Sequence, residues 1–216
     1  MTSVLPAAPP ALAFSVEEVV GATHVSAPTL LIRLRISSEE RVIRSLGLNI
    51  QLRIEATARG YDDAAQARLL ELFGEPERWG STLRSLLWAQ ASMNVPAFDG
   101  ETIIEVPVPC TYDFDVAASK YLDAVADGEI PIELLFSGTM FYAGSQGQLQ
   151  TAMIPWDREA HFRMPAAVWH DAIDNAFPGS AWIRLDRDTF ERLHAYRGAS
   201  ALPTWDAAVD QLLGTG

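Results

Sequence analysis

The sequence predicts an α+β fold: an antiparallel β-sheet, open or closed into a sandwich, with two inserted short helices and a helical C-terminal third. Three observations carry this expectation. Between Leu46 and Thr57 residues of alternating polarity point to opposite sides, the period of a half-buried strand. After Tyr61 the apolar spacing changes to the helical three-to-four. Beyond Pro165 the helical spacing persists to the end of the chain.

Residues 1–13 read as a disordered leader. They end in Ala-Leu-Ala, but they lack a basic start, and Pro6, Pro9 and Pro10 interrupt what would be the apolar core of a signal peptide. A protein that stays in the cytoplasm is expected. Residues 14–216 read as a single α+β domain. Phe14, Val16 and Val20 mark one face of a first strand, with Glu18 an exception. Pro28 opens a second, in which Leu30, Ile32, Leu34 and Ile36 alternate with Leu31, Arg33 and Arg35. The third sets Leu46, Leu48, Ile50, Leu52 and Ile54 against Asn49, Gln51, Arg53 and Glu55. Arginines on the wet faces suit cross-strand pairing with glutamates.

Asp62 and Asp63 start a helix carrying Ala65, Leu69, Leu72 and Phe73, which Gly74 can cap. A second short helix is expected over Leu83, Leu86, Leu87 and Trp88, entered through Gly80-Ser81. Alternation returns from Ile104 to Phe114, with Pro107 and Pro109 on the outward side. Because proline cannot donate to a ladder, this strand belongs at a sheet edge. Asp115 can cap a helix through Tyr121, Leu122 and Val125. Ile130 to Met140 resumes the strand pattern, and Gly144-Ser145-Gln146-Gly147 turns it into Leu149–Ile154. Three helices follow, carrying Val168, Trp169 and Ile173; then Phe190 and Leu193; then Trp205, Val209 and Leu212 behind a Thr204 cap.

Among 216 residues, 16 Lys+Arg face 28 Asp+Glu, a formal charge of −12. Nucleic acid is a poor partner for such a chain, since a net acidic surface repels phosphates across a Debye length of about 8 Å. No apolar run reaches membrane length, and the lone Cys110 excludes an intrachain disulfide and a cysteine-rich zinc site. The charge is uneven: residues 99–150 hold nine acids against one base, Lys120, and so carry −8. Glu101, Glu105 and Asp113 on the expected edge strand are therefore candidate contacts for a protein partner with a basic surface. Trp79 and Trp182, near loops, are candidate interface anchors, because Trp dominates many interfaces.

For chemistry the densest stretch is Ile154 to Pro165, where Asp157, Glu159 and His161 lie in a polar connector between a strand and a helix. Asp157 and His161, four apart, share a face if the stretch forms a helical turn, as a general base pair or as two metal ligands would. Neither role has its complement: no G-x-S-x-G elbow or H-E-x-x-H occurs, and no catalytic set, cofactor or metal motif is complete. Cys110 reads as a small buried apolar residue. His24 falls in a loop, and His170 and His194 on helices.

Several strings resemble a known family: Val108-Pro109-Cys110-Thr111-Tyr112-Asp113-Phe114, Leu134-Leu135-Phe136-Ser137-Gly138-Thr139, Ile154-Pro155-Trp156-Asp157 and Pro178-Gly179-Ser180-Ala181-Trp182. They are similar to an uncharacterised family of actinobacterial proteins, often encoded near nickel–iron hydrogenase gene clusters, over roughly Phe14 to Leu213. The resemblance implies an accessory role and transfers no catalytic residue. The leading expectation is a non-enzymatic accessory, assembly or protein-binding protein, with homo-oligomerisation compatible. The alternative is a small-molecule or metal-dependent enzyme centred on Trp156–Arg163.

Overall fold

The computed structural model describes residues 9–39, 42–110, 116–144, 146–180 and 183–214. The chain divides into two compact units, Met1–Ala181 and Trp182–Gly216, where the sequence predicts a single domain from residue 14 onward. The fold class is α+β, as expected.

The first unit carries eight strands among the described residues: β1 (Leu12–Gly21), β2 (Thr29–Ser38), β3 (Ile43–Ile54), β4 (Leu86–Val95), β5 (Glu101–Pro109), β6 (Glu129–Ala143), β7 (Leu149–Met153) and β8 (Glu159–Pro165). They form a three-stranded sheet in the order β1-β2-β5 and a five-stranded sheet in the order β4-β3-β6-β7, with β8 also on β6. All pairs are antiparallel. The inward residues of β2, β3 and β6 belong to one hydrophobic core, and Phe14 of β1 stacks on Phe136 of β6 with ring centroids 4.0 Å apart. Two sheets sharing one core make a sandwich.

The alternation over β2, β3 and β6 places its apolar residues inward as read, and β5 ends its sheet. β1 takes in Leu12 and Ala13, the last residues of the segment read as a leader. A bulge between Val16 and Glu18 then shifts its alternation by one residue. Val19, rather than Val20, is buried beyond it, and Glu17 and Glu18 are both exposed. The anomaly of Glu18 is thus the signature of the bulge.

Helix α1 (Asp63–Phe73) forms as read, with the Asp62 side chain accepting from the Ala65 N–H and Gly74 closing the end. The next helix does not. α2 is a single turn, Trp79–Thr82, and Leu86–Val95 is strand β4. The Leu86-Leu87-Trp88 run mimics a helical stripe because a register shift at this point interrupts the period of two. The inward residues that follow, Ala89 and Ala91, are too small to announce a strand.

The connector read between Leu149–Ile154 and the last helices likewise contains a strand, β8. α3 (Ala117–Ala124) and α4 (Ala166–Ala176) complete the unit, α4 with Trp169 buried. β3 and β6 approach closely at two glycines. A Cβ on Gly138, whose φ is 136°, would lie 1.9 Å from the Gly47 carbonyl oxygen, so only glycine fits there.

The second unit is a helix pair, α5 (Arg187–Ala199) and α6 (Trp205–Leu213). Thr204 caps α6 by accepting from the Ala207 N–H at 3.1 Å, and Gly214 ends it in the left-handed region. Trp205 packs against Phe190 and His194, with the Arg197 guanidinium 3.9 Å from its ring centre.

Candidate functional site

The acidic segment is dispersed by the fold. Alternation on β5 sends Glu101 and Glu105 to the outer face of the three-stranded sheet, where arginines of β2 meet them. Arg35 sits between Glu17 at 2.6 Å and Glu101 at 2.7 Å, and Arg33 pairs with Glu18 at 3.2 Å and lies opposite Glu105 in register. The Glu101 and Glu17 carboxylates hold the Arg35 guanidinium even more firmly protonated than usual. Glu129 and Glu133 belong to β6, on the other sheet, where Glu133 pairs with Arg53 at 3.1 Å. Among the described residues the strand acids of 99–150 therefore lie on two different sheets, with Glu101 and Glu133 each paired with an arginine, while Asp123 lies on α3 and Asp99 and Asp127 in loops. Asp113 and Trp182 lie outside the described residues.

Trp79 is committed to packing. Its indole N–H donates to the Gly74 carbonyl at 2.8 Å, and its ring stands edge-on to Tyr61 and Phe73. The Tyr61 hydroxyl, which donates to the Ala56 carbonyl at 2.6 Å, lies 2.7 Å from that of Tyr121. Burial pushes both phenols above their ordinary range.

The Asp157–His161 helical turn does not form, because Glu159–Pro165 is extended. Asp157 lies in the preceding turn, 3.4 Å from Arg158. Glu159 and His161, two apart on β8, share its outer face, with the His161 Nε2 3.4 Å from a Glu159 oxygen. His161 stands opposite Glu133 of β6 in register. Ligand atoms of Glu133, Glu159 and His161 all lie within 4.8 Å of one another. Two carboxylates and an imidazole are the donor set of a borderline divalent cation such as Zn2+ or Mn2+. Arg53, however, already supplies a positive charge to Glu133. Glu133 escaped the sequence reading because a cross-strand neighbour is set by register rather than by local spacing.

Two other groups are accounted for structurally. His170 Nε2 lies 2.9 Å from the Val125 carbonyl oxygen. Cys110 is buried as expected, and burial pushes its thiol up to about 11, which leaves almost no thiolate at neutral pH.

Of the cavities lined by described residues, the most apolar lies in the second unit. A groove of about 490 Å³ is lined by Ile183, Leu185, Leu193, Val209, Leu212 and Leu213, with Thr189, Arg192 and Tyr196 at its border. Leu212 and Leu213 remain 58% and 71% exposed. In the first unit, a polar cleft of about 200 Å³ is lined by Arg59, Asp62, Arg68 and Asp127. Its arginines are engaged with the backbone: Arg59 donates to the Glu129 carbonyl at 3.0 Å, and Arg68 to that of Ala124 at 2.8 Å.

The first unit is by architecture an antiparallel two-sheet sandwich, and none of the described cavities is lined by the Asp157, Glu159 or His161 side chains. The chain belongs to the family of unknown function DUF6084, whose model matches residues 9–216. No curated protein matches it. Among solved structures it is similar to one described as a late embryogenesis abundant (LEA) protein, at 13% identity over 72% of this chain and 71% of that one, with a TM-score of 0.33. It is also similar to Spo0M, a sporulation control protein from Bacillus subtilis, at 9% identity over 72% of this chain and 48% of that one, with a TM-score of 0.24. Likenesses of this size carry no functional argument. No helix among the described residues is long and apolar enough to cross a membrane.

Proposed function

We propose that this protein is a non-enzymatic accessory or assembly factor that holds a protein partner on the apolar groove of its C-terminal unit. The observation that supports this most is the exposure of Leu212 and Leu213 on the wall of a groove lined almost wholly by apolar side chains. A trough between two helices suits an amphipathic helix, which buries its own apolar stripe there. The charge of −12 favours a partner with a basic rim, because complementary fields speed encounter. The family resemblance read from the sequence makes a hydrogenase subunit or maturation factor, met in the cytoplasm, the first partner to test. Affinity capture from the native host should recover such a partner with the wild-type chain. The Leu212→Ser/Leu213→Ser variant should recover about a tenth as much or less. Equal recovery by both chains, or no specific partner at low and moderate salt, overturns the reading.

The convergence of Glu133, Glu159 and His161 supports a second reading, a divalent-cation site on the β6–β8 face. Calorimetric titration with Zn2+ and with Mn2+ tests it. Binding that vanishes in His161→Ala supports it, and absence of binding to the wild type ends it.

A further inference from the structure

We propose that β4 is a self-association edge, pairing antiparallel with β4 of a second copy across a two-fold axis at Ser92. Sheet edges offer unpaired backbone donors and acceptors, and proteins blunt them with charge, proline, bulges or shortness. Every other edge strand described here is blunted. β1 carries a bulge with Glu17 and Glu18, β5 carries Pro107 and Pro109 with Glu101 and Glu105, and β8 carries Glu159, Arg163 and Pro165. β7 is only five residues long. β4 has ten residues, none of them charged and none proline, and its bulge at Trp88 leaves Ala89 to Val95 in regular register. It hydrogen-bonds to β3 on one side, while its other neighbours, α3 and β5, approach without pairing to it.

Three features point to a second copy as the occupant. Most inward residues of β4 are left half-open: Leu86, Ala89, Ala91 and Met93 are partly buried and only Val95 is fully covered, whereas those of β3 beside them are fully buried. A further strand would extend that cover. The charge distribution also favours a copy. The stretch from Trp79 to Phe98 holds a single charged residue, Arg84, in a chain of −12, so like-charged copies can approach there with least repulsion. Finally, the regular part of β4 is self-complementary. An axis at Ser92 sets Ala91 against Met93 on the inner face and Gln90 against Asn94 on the outer face, and an isologous contact of this kind closes as a dimer.

This inference concerns a different surface from the helical groove, so either can fail alone. Light scattering across a concentration series should show a dimer. Gln90→Lys/Ser92→Lys, which brings ammonium groups together at the axis, should weaken it about tenfold or more. Because directly opposed strand residues lie about 4.5–5.5 Å apart at Cα, within disulfide range, Ser92→Cys in a Cys110→Ala background should cross-link. It should do so much faster than a control cysteine at the exposed Asp174. A chain that stays monomeric throughout overturns the proposal, as does a dimer unaffected by the lysines or cross-linking at Ser92 no faster than at Asp174.

Discussion

The Arg35 guanidinium lies 2.7 Å from the Glu101 carboxylate, a diagonal bridge from β2 to β5. Glu101 thus meets a counter-charge on the strand beside it, so under the proposed function these acids would act on a partner through the long-range field rather than through direct contacts. Reversing Glu101, Glu105 and Asp113 to lysine should slow association with a basic partner, and the effect should shrink as salt rises. Association rates measured across a salt series check this; an effect that does not vary with salt would mean that these residues make buried contacts.

Gly138 tests the seam between β3 and β6. In Gly138→Ala the new methyl meets the Gly47 carbonyl oxygen, and the backbone φ of 136° is hostile to any side chain. The variant should lose roughly 3 kcal/mol or more, or fail to fold. Gly80→Ala, with open space around the Cβ, should be close to neutral. Denaturant melts of the two variants give the comparison.

Cys110 predicts a pH dependence. Its folded-state thiol titrates near 11 rather than at the ordinary 9.0 because burial disfavours the thiolate. The folded state therefore holds a proton that the unfolded chain gives up. Stability from this group is intact below pH 9 and declines as pH rises toward 11. Cys110→Ala should flatten that part of the stability profile, leaving the contributions of Tyr61 and Tyr121. At neutral pH the wild-type thiol should resist a disulfide reagent until the protein unfolds.

Arg53 competes for Glu133 with any cation bound at His161. If the β6–β8 face binds Zn2+, Arg53→Met should tighten it several-fold by freeing the Glu133 carboxylate, while Glu159→Gln should weaken it. Titration calorimetry reads both. An Arg53→Met affinity equal to or below that of the wild type argues against Glu133 as a ligand.

The strands were most legible where large residues mark both the period and the face, as in Leu30 to Ile36 and Leu46 to Ile54. The caps of α1 and α6 were legible because Asp62 and Thr204 bond the backbone locally. β4 was not, since Ala89 and Ala91 give a faint inward signal and the bulge beside Trp88 imitates a helix. β8 carried a usable signal that the charges of Glu159, His161 and Arg163 obscured: Ala160, Phe162 and Met164 alternate with them and point inward. The cluster at His161 was half visible. Glu159 is its neighbour in sequence, but Glu133 reaches it only through strand pairing, which no local spacing encodes.

β6 holds β3 along one edge, while β8 covers the first half of its other edge and β7 the second half. The late strands thus return to a strand made earlier, and β2 gains β5 only after α1, α2 and β4 have been synthesised. On the ribosome, the β1–β2 hairpin emerges long before the sheet that covers Leu30, Ile32, Leu34 and Ile36. The covering sheet is completed only when β6 pairs with β3, and long-range pairing of this kind is expected to slow folding and leave apolar surface open meanwhile. A fragment ending at Pro109 lacks β6, the second partner of β3, along with the strands that pair with it, so it should remain bound to holding chaperones rather than fold.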